Sequence, residues 1–81
     1  MDNAQALFGS VIGDLRRSAG FSQEVLAERA GVHRTYVSQL ERGLKSPTLA
    51  VLMKLADALG TKPSKILFLL ERSLNEIQSS Q

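Results

Sequence analysis

With 81 residues, of which 43% are apolar and 22% charged, the chain has the composition of one folded domain, residues 1–81, and not of a disordered segment. It has no cysteine and one histidine, which excludes a disulfide framework and argues against a zinc centre built on histidines. The net charge is only +2, but residues 29–65 carry seven basic against two acidic side chains, so an anionic partner is expected to meet the middle of the chain.

Membrane and catalytic functions find no support in the pattern. No uninterrupted apolar run exceeds five residues, and the chain start lacks the basic and apolar pattern of a signal peptide, which predicts a cytoplasmic protein with no membrane partner. There is no paired nucleophile and base, no cluster of metal ligands and no phosphate-cradling glycine loop. An enzyme, a cofactor, a metal and a small-molecule ligand are therefore not predicted.

Apolar residues recur at helical spacing throughout and predict an all-α chain of five helices. Ser22 and Thr48 are good caps for the second and fourth helices, whereas His33, at the start of the third, caps poorly because imidazole is a weak substitute for a hydroxyl or carboxylate. Glycines follow four of the helices and allow them to end. The predicted helices cover residues 4–19, 23–30, 33–42, 49–59 and 63–78.

The segment Gln23 to Arg42 has the pattern of a helix-turn-helix. Ala27 is small where two steeply crossed helices come closest, Gly31 permits a positive φ in the turn, and Val37 points back into the angle between the helices. These three residues at this spacing, with a polar outer face, predict a nucleic-acid-binding element.

The third helix has one polar side without an acid. At ~100° per residue, Arg34, Thr35, Ser38, Gln39 and Arg42 share an arc of about 140°, and the aliphatic residues lie opposite. These side chains can pair with base edges in a major groove, which admits one α-helix. The alternative is an ordinary solvated face, which would more often carry Glu and Lys four residues apart.

Short segments along the chain resemble the lambda-repressor/Cro-like helix-turn-helix regulators. The matching segments are 22–24 (SQE), 26–27 (LA), 29–32 (RAGV), 37–43 (VSQLERG) and 47–49 (PTL). The resemblance implies a compact five-helix lambda-repressor-like DNA-binding domain, with the second and third helices as its helix-turn-helix. Residues 34–38 (RTYVS) look most like the recognition helix of restriction–modification controller proteins, which are dimers that regulate their own operon and an endonuclease gene.

The resemblance also implies roles for individual residues. The residues expected to read bases are Arg34, Thr35, Ser38 and Gln39. Those expected to contact the DNA backbone are Arg17, Ser22, Gln23, Tyr36, Arg42, Lys45, Ser46 and Thr48. For Tyr36 the alternative is a ring lying over the neighbouring helix surface. Arg16 and Glu41 occupy the positions of an internal ion pair between the first and third helices.

The fifth helix carries more apolar residues than one core can cover, because they lie on several of its faces. We therefore predict a two-fold homodimer through this helix, the alternative being a helix tucked deep into the core. Two recognition helices would then lie about 34 Å apart and read a palindromic site. The predicted interface residues are Ile66, Leu67, Leu69, Leu70, Leu74 and Ile77.

The sequence as a whole predicts a homodimeric, sequence-specific regulator that binds a palindromic operator in double-stranded DNA. It would be nucleoid-associated and of bacterial or phage type, with RNA polymerase as a further candidate partner. Three alternatives stay open: an antitoxin or co-activator whose main contact is another protein, an enzyme, and a bare structural bundle.

Overall fold

The computed structural model describes residues 3–79, which form five α-helices and no strand. The five predicted helices are confirmed, with ends that differ by a residue or so from the predicted ones. None of these described helices is long and apolar enough to span a bilayer. The helices are α1 (Ala4–Ser18), α2 (Gln23–Ala30), α3 (Arg34–Glu41), α4 (Leu49–Leu59) and α5 (Pro63–Ser79).

The helix starts follow the capping chemistry of the sequence. The Ser22 hydroxyl accepts a hydrogen bond from the N–H of Val25 at 3.1 Å, and the Thr48 hydroxyl accepts one from the N–H of Val51 at 3.1 Å. His33 has the extended backbone of a cap, but its side chain makes no capping hydrogen bond. The first backbone N–H groups of α3 therefore need hydrogen-bond acceptors other than a capping side chain.

One apolar core joins all five helices. Each fully buried aliphatic side chain stabilises the fold by roughly 1.5–3 kcal/mol relative to exposure. The largest fully buried side chains are Ile12, Leu26, Val37, Leu40, Leu55 and Ile66.

The burial of Ile66 corrects one prediction. Its side chain has no exposed surface, because it fills the chain's own core beneath α1 and α4, and it is not available to a second copy. Leu69 and Leu70, also predicted at the interface, are half-buried and pack against the same core. The inner stripe of α5 thus holds the monomer together.

The helices α1 and α3 approach each other so closely that a glycine is required between them. A Cβ on Gly9 would lie 2.2 Å from the carbonyl oxygen of Leu40 and 2.7 Å from that of Glu41. The backbone of α1 therefore lies directly against the last turn of α3. This contact, which the sequence did not predict, fixes the C-terminal end of α3 on the body of the fold.

Candidate DNA-binding surface

The helices α2 and α3 form the predicted helix-turn-helix. Gly31 ends α2 in the left-handed conformation, with φ 72° and ψ 34°, and the N–H of Val32 bonds back to the carbonyl of Ala27 at 3.0 Å. Ala27 is 3% exposed, and Leu26 and Val37 are fully buried in the angle between the helices. The small residue, the glycine and the valine therefore take the positions that their spacing predicts.

The outer side of α3 presents the polar residues that the helical spacing places there. Arg34 and Thr35 are exposed, and Ser38 and Gln39 are half-exposed. Beside them lies an open hollow of about 600 Å³, lined by Gly31, Val32, His33, Thr35, Tyr36, Gln39 and Lys45. The polar face and the hollow form one continuous surface, which we call the α3 surface.

Tyr36 lies at the edge of the α3 surface. Its side chain is half-buried and packs against the core, and it also lines the hollow. The ring is therefore held in place by the fold, and a backbone contact from its hydroxyl remains a prediction.

Three cations at and after α3 are unpaired within the described residues. Arg34, Arg42 and Lys45 are exposed, and no described carboxylate lies within ion-pair distance of them. Arg17, in contrast, pairs with Asp14 at 2.8 Å. Both of these side chains are more than half exposed, so the pair is worth at most about 1 kcal/mol and Arg17 can exchange its partner.

Arg16 and Glu41 form the internal ion pair between α1 and α3. Arg16 Nε donates to Glu41 Oε2 at 2.7 Å and Arg16 Nη2 donates to Oε1 at 3.0 Å, while Nη1 donates to the carbonyl of Phe21 at 2.9 Å. The two side chains are 13% and 8% exposed. The hydrogen bonds from Arg16 to Glu41 raise the pKa of Arg16 above its ordinary value, against the opposing effect of burial. The Arg16 guanidinium therefore stays charged, and its bonds to Glu41 hold the end of α3 against α1.

Glu41 also holds Gln23, the first residue of α2. Gln23 Nε2 donates to Glu41 Oε1 at 3.0 Å, so one carboxylate binds side chains from both α1 and α2. The amide keeps its second N–H and its carbonyl oxygen for an external partner. The sequence predicted that Gln23 bonds a phosphate or a flanking base, and it did not predict that Glu41 orients this side chain.

The three serine and threonine hydroxyl groups predicted to contact the DNA backbone differ in whether their proton is free to be donated to a phosphate. Ser22 and Thr48 accept hydrogen bonds from their own helices, so each still has a proton to donate. Ser46 donates its proton to Oε1 of Gln5 at 2.7 Å. Since a hydroxyl has one proton, the predicted donation from Ser46 to a phosphate is not available in this arrangement.

Comparison with known proteins places this geometry in a family. The family model described as helix-turn-helix matches residues 12–66. Control protein C.BamHI of Bacillus amyloliquefaciens is 39% identical over 67 residues, which are 82% of this chain and 83% of that protein. Control protein C.SmaI of Serratia marcescens is 46% identical over 52 residues, or 64% of this chain and 62% of that protein.

A solved structure shares the arrangement of the helices. The restriction-modification controller protein C.AhdI from Aeromonas hydrophila superposes with a TM-score of 0.75 and 39% identity, covering 76% of this chain and 94% of that one. The expected lambda-repressor-like fold is thus confirmed. The chain belongs to the helix-turn-helix family of transcriptional regulators.

Proposed function

We propose that this protein binds specific sequences in double-stranded DNA as a homodimer and acts as a controller of a restriction–modification system. One observation carries the proposal: α3 is anchored in the core by Val37 and Leu40 and turns an acid-free polar face outward. Similarity to C.BamHI, C.SmaI and C.AhdI supports the controller role.

Base reading is assigned to the exposed part of the α3 surface. Arg34 can donate two hydrogen bonds to guanine, Gln39 can bond adenine through both amide atoms, and Thr35 offers a methyl group to thymine. Ser38 can bond either kind of base edge. Each good bidentate pair is worth about 1–3 kcal/mol of discrimination.

Backbone binding is assigned to cations and donors around α3. Arg42 and Lys45 are exposed and carry no described ion-pair partner, so phosphates can bind them without breaking an existing pair. The hydroxyls of Ser22 and Thr48 and the second N–H of Gln23 are further donors at helix starts. Such contacts fix the register of the protein without reading sequence.

The dimer interface is proposed on the outer side of α5. Leu67 and Phe68 are 48% and 56% exposed, and Leu74 lies half-buried near the same side. Leu69 lies about 160° from Leu67 around the helix and lines the groove between α1 and α5. We therefore propose Leu67, Phe68 and Leu74, with Leu70 and Ile77 at the inner edge, as the surface that meets a second copy.

Selection of bound sequences from random duplex DNA tests the proposal most directly. We expect a palindromic consensus with half-sites about one helical turn, ~34 Å, apart. Arg34→Ala should cost about 1–3 kcal/mol of affinity and relax preference at one position, and Lys45→Ala should weaken all sequences about equally. Arg72→Ala, which removes an exposed cation on α5, is the matched control and should leave binding unchanged.

The dimer is tested separately by light scattering after gel filtration at micromolar concentration. Leu67→Glu should give a monomer, whereas Leu49→Glu, which places the same charged side chain at a leucine of α4 that is 75% exposed, should remain a dimer. A monomeric wild-type protein would contradict the two-fold model. The antitoxin or co-activator alternative would replace the proposal if a partner protein is captured in a pull-down and the regulatory activity does not change with salt concentration.

Whether the protein represses or activates transcription depends on where its operator lies relative to the promoter. A dimer bound over a promoter would exclude polymerase, and one bound beside it would offer a surface for polymerase contact. Transcription in vitro with purified polymerase and the selected operator placed at either position separates the two.

A further inference from the structure

The first turn of α1 is tied to the loop that follows α3. Gln5 Nε2 donates to the carbonyl of Gly43 at 2.7 Å, and Gln5 Oε1 accepts from the Ser46 hydroxyl at 2.7 Å. Because both ends of the amide are used, its orientation is fixed by the pair of partners. We call residues 43–47 the α3–α4 loop and these two hydrogen bonds the Gln5 bridge.

The α3–α4 loop is held by this bridge as well as by its own backbone. The N–H groups of Gly43 and Leu44 bond back to α3 at 3.1 and 2.9 Å, which orders only the beginning of the loop. Within the described residues, the Gln5 bridge supplies the side-chain hydrogen bonds that reach residues 43–47. Lys45 and Ser46 are exposed, so solvent would otherwise leave this part of the loop free to rearrange.

Close packing at the beginning of the loop supports the same conclusion. Gly43 has φ 76°, and a Cβ on it would lie 3.0 Å from the Cα of Ala6, the residue after Gln5. The loop backbone therefore rests directly on α1 at the point where the amide binds it. This leaves the bridge little room to shift without breaking.

We propose that Gln5 is a positioning residue for DNA backbone binding: it holds the α3–α4 loop so that Lys45 meets a phosphate. The inference rests on the proposed DNA-binding function. Ser46 acts in the same way, through Gln5, because its proton is used within the protein. A loop that is ordered before binding loses less conformational freedom when the phosphate arrives.

The test measures binding of a fluorescein-labelled, random-sequence 30-base-pair duplex pool by fluorescence anisotropy between 50 and 200 mM salt. Gln5→Ala should weaken binding by about 3- to 10-fold, and the salt slope should flatten by about 0.9 for each phosphate that the variant no longer binds. Ser73→Ala removes a comparable side-chain hydrogen bond on α5, to the carbonyl of Leu69, and should leave affinity and slope unchanged. Thermal unfolding of each variant establishes that it is folded at the assay temperature.

A double-mutant cycle then separates positioning from direct contact. Ser46→Ala should weaken binding less than Gln5→Ala, because the bond to Gly43 remains, and it should add less than about 1.5-fold in the Gln5→Ala background, since groups acting through one contact are not additive. An equal effect of Ser46→Ala in both backgrounds, or wild-type affinity and slope for Gln5→Ala, would overturn the inference alone. Failure of the wild-type protein to bind this pool would also overturn the inference, whereas failure to enrich any sequence in the selection experiment would overturn the proposed function.

Discussion

Replacing Gly9 by alanine would place a methyl group inside the contact between α1 and α3. The new Cβ would lie 2.2 Å from the carbonyl oxygen of Leu40, where ordinary contact begins near 3.4 Å, and 2.7 Å from that of Glu41. Both neighbours are backbone atoms in the last turn of α3, so the helices must separate by about 1 Å. Overpacking of this kind costs typically 1–3 kcal/mol, and here it also strains the Arg16–Glu41 pair.

The net loss of stability is smaller than this steric cost, because alanine is more favourable than glycine inside a helix by about 1 kcal/mol. Because both neighbours are backbone atoms, we place the steric cost at the upper end, about 3 kcal/mol, and expect Gly9→Ala to lower the free energy of unfolding by about 2 kcal/mol. In a domain of this size that corresponds to a fall in Tm of roughly 8–16 °C. The assay is thermal unfolding followed by circular dichroism at one fixed protein concentration, since the proposed dimerisation would make Tm depend on concentration.

Gly13→Ala on the same helix is the matched control. Its Cβ would meet the guanidinium nitrogens of Arg17 at 3.3 Å, the far end of a mostly exposed side chain that can move aside. The variant keeps the helix-propensity gain without the clash, so its Tm should rise by a few degrees. If Gly9→Ala were as stable as Gly13→Ala, the close approach of α1 to α3 would not exist in solution.

Three further substitutions follow from the contacts around α3 and the core. His33→Ser supplies the side-chain cap that α3 lacks and should raise the free energy of unfolding by about 0.5–1 kcal/mol in urea titration; an unchanged midpoint would contradict the view that the cap is vacant. Glu41→Ala leaves the guanidinium of Arg16, 13% exposed, without its carboxylate partner and should lower the free energy of unfolding by about 3 kcal/mol. A loss below about 1 kcal/mol would instead be that of a surface ion pair. Ile66→Ala leaves a cavity in the core and should lower the free energy of unfolding by about 2–5 kcal/mol. The control Leu49→Ala, at a site 75% exposed, should change it by no more than about 0.5 kcal/mol. Equal losses of stability at the two sites would refute the placement of α5.

Local chemistry made the helices and the turn predictable from sequence. Ser22 and Thr48 accept hydrogen bonds from backbone groups three residues away, and Gly31 adopts the left-handed conformation one residue beyond α2. These interactions connect near neighbours, so the residue types and their spacing contain most of the information. The outward polar face of α3 follows in the same way, because Val37 and Leu40 fix which side is buried.

The predictions that failed or were missed concern features that helical spacing does not determine. Apolar residues surround much of α5, and spacing alone did not show that Ile66 faces the monomer core while Leu67 and Phe68 stay exposed. The Gln5 bridge and the Gly9 contact were missed for another reason. They join residues more than thirty positions apart, where an exposed-looking glutamine and a mid-helix glycine give no local sign of their partners.

The supports of α3 are distributed unevenly along its length, and this bears on how specificity can vary. At its C-terminal end, the Arg16–Glu41 pair, the contact at Gly9 and the Gln5 bridge all fix α3 and the following loop to α1. At its N-terminal end, Arg34 is exposed and follows a start without a side-chain cap, and its own side chain makes no ion pair with any described residue. Because the end of α3 that we propose reads bases contributes little to the fold, substitutions there can change the DNA sequence that is read without a matching loss of stability. Substitutions at the clamped end change the position of α3 itself, and so weaken every sequence together.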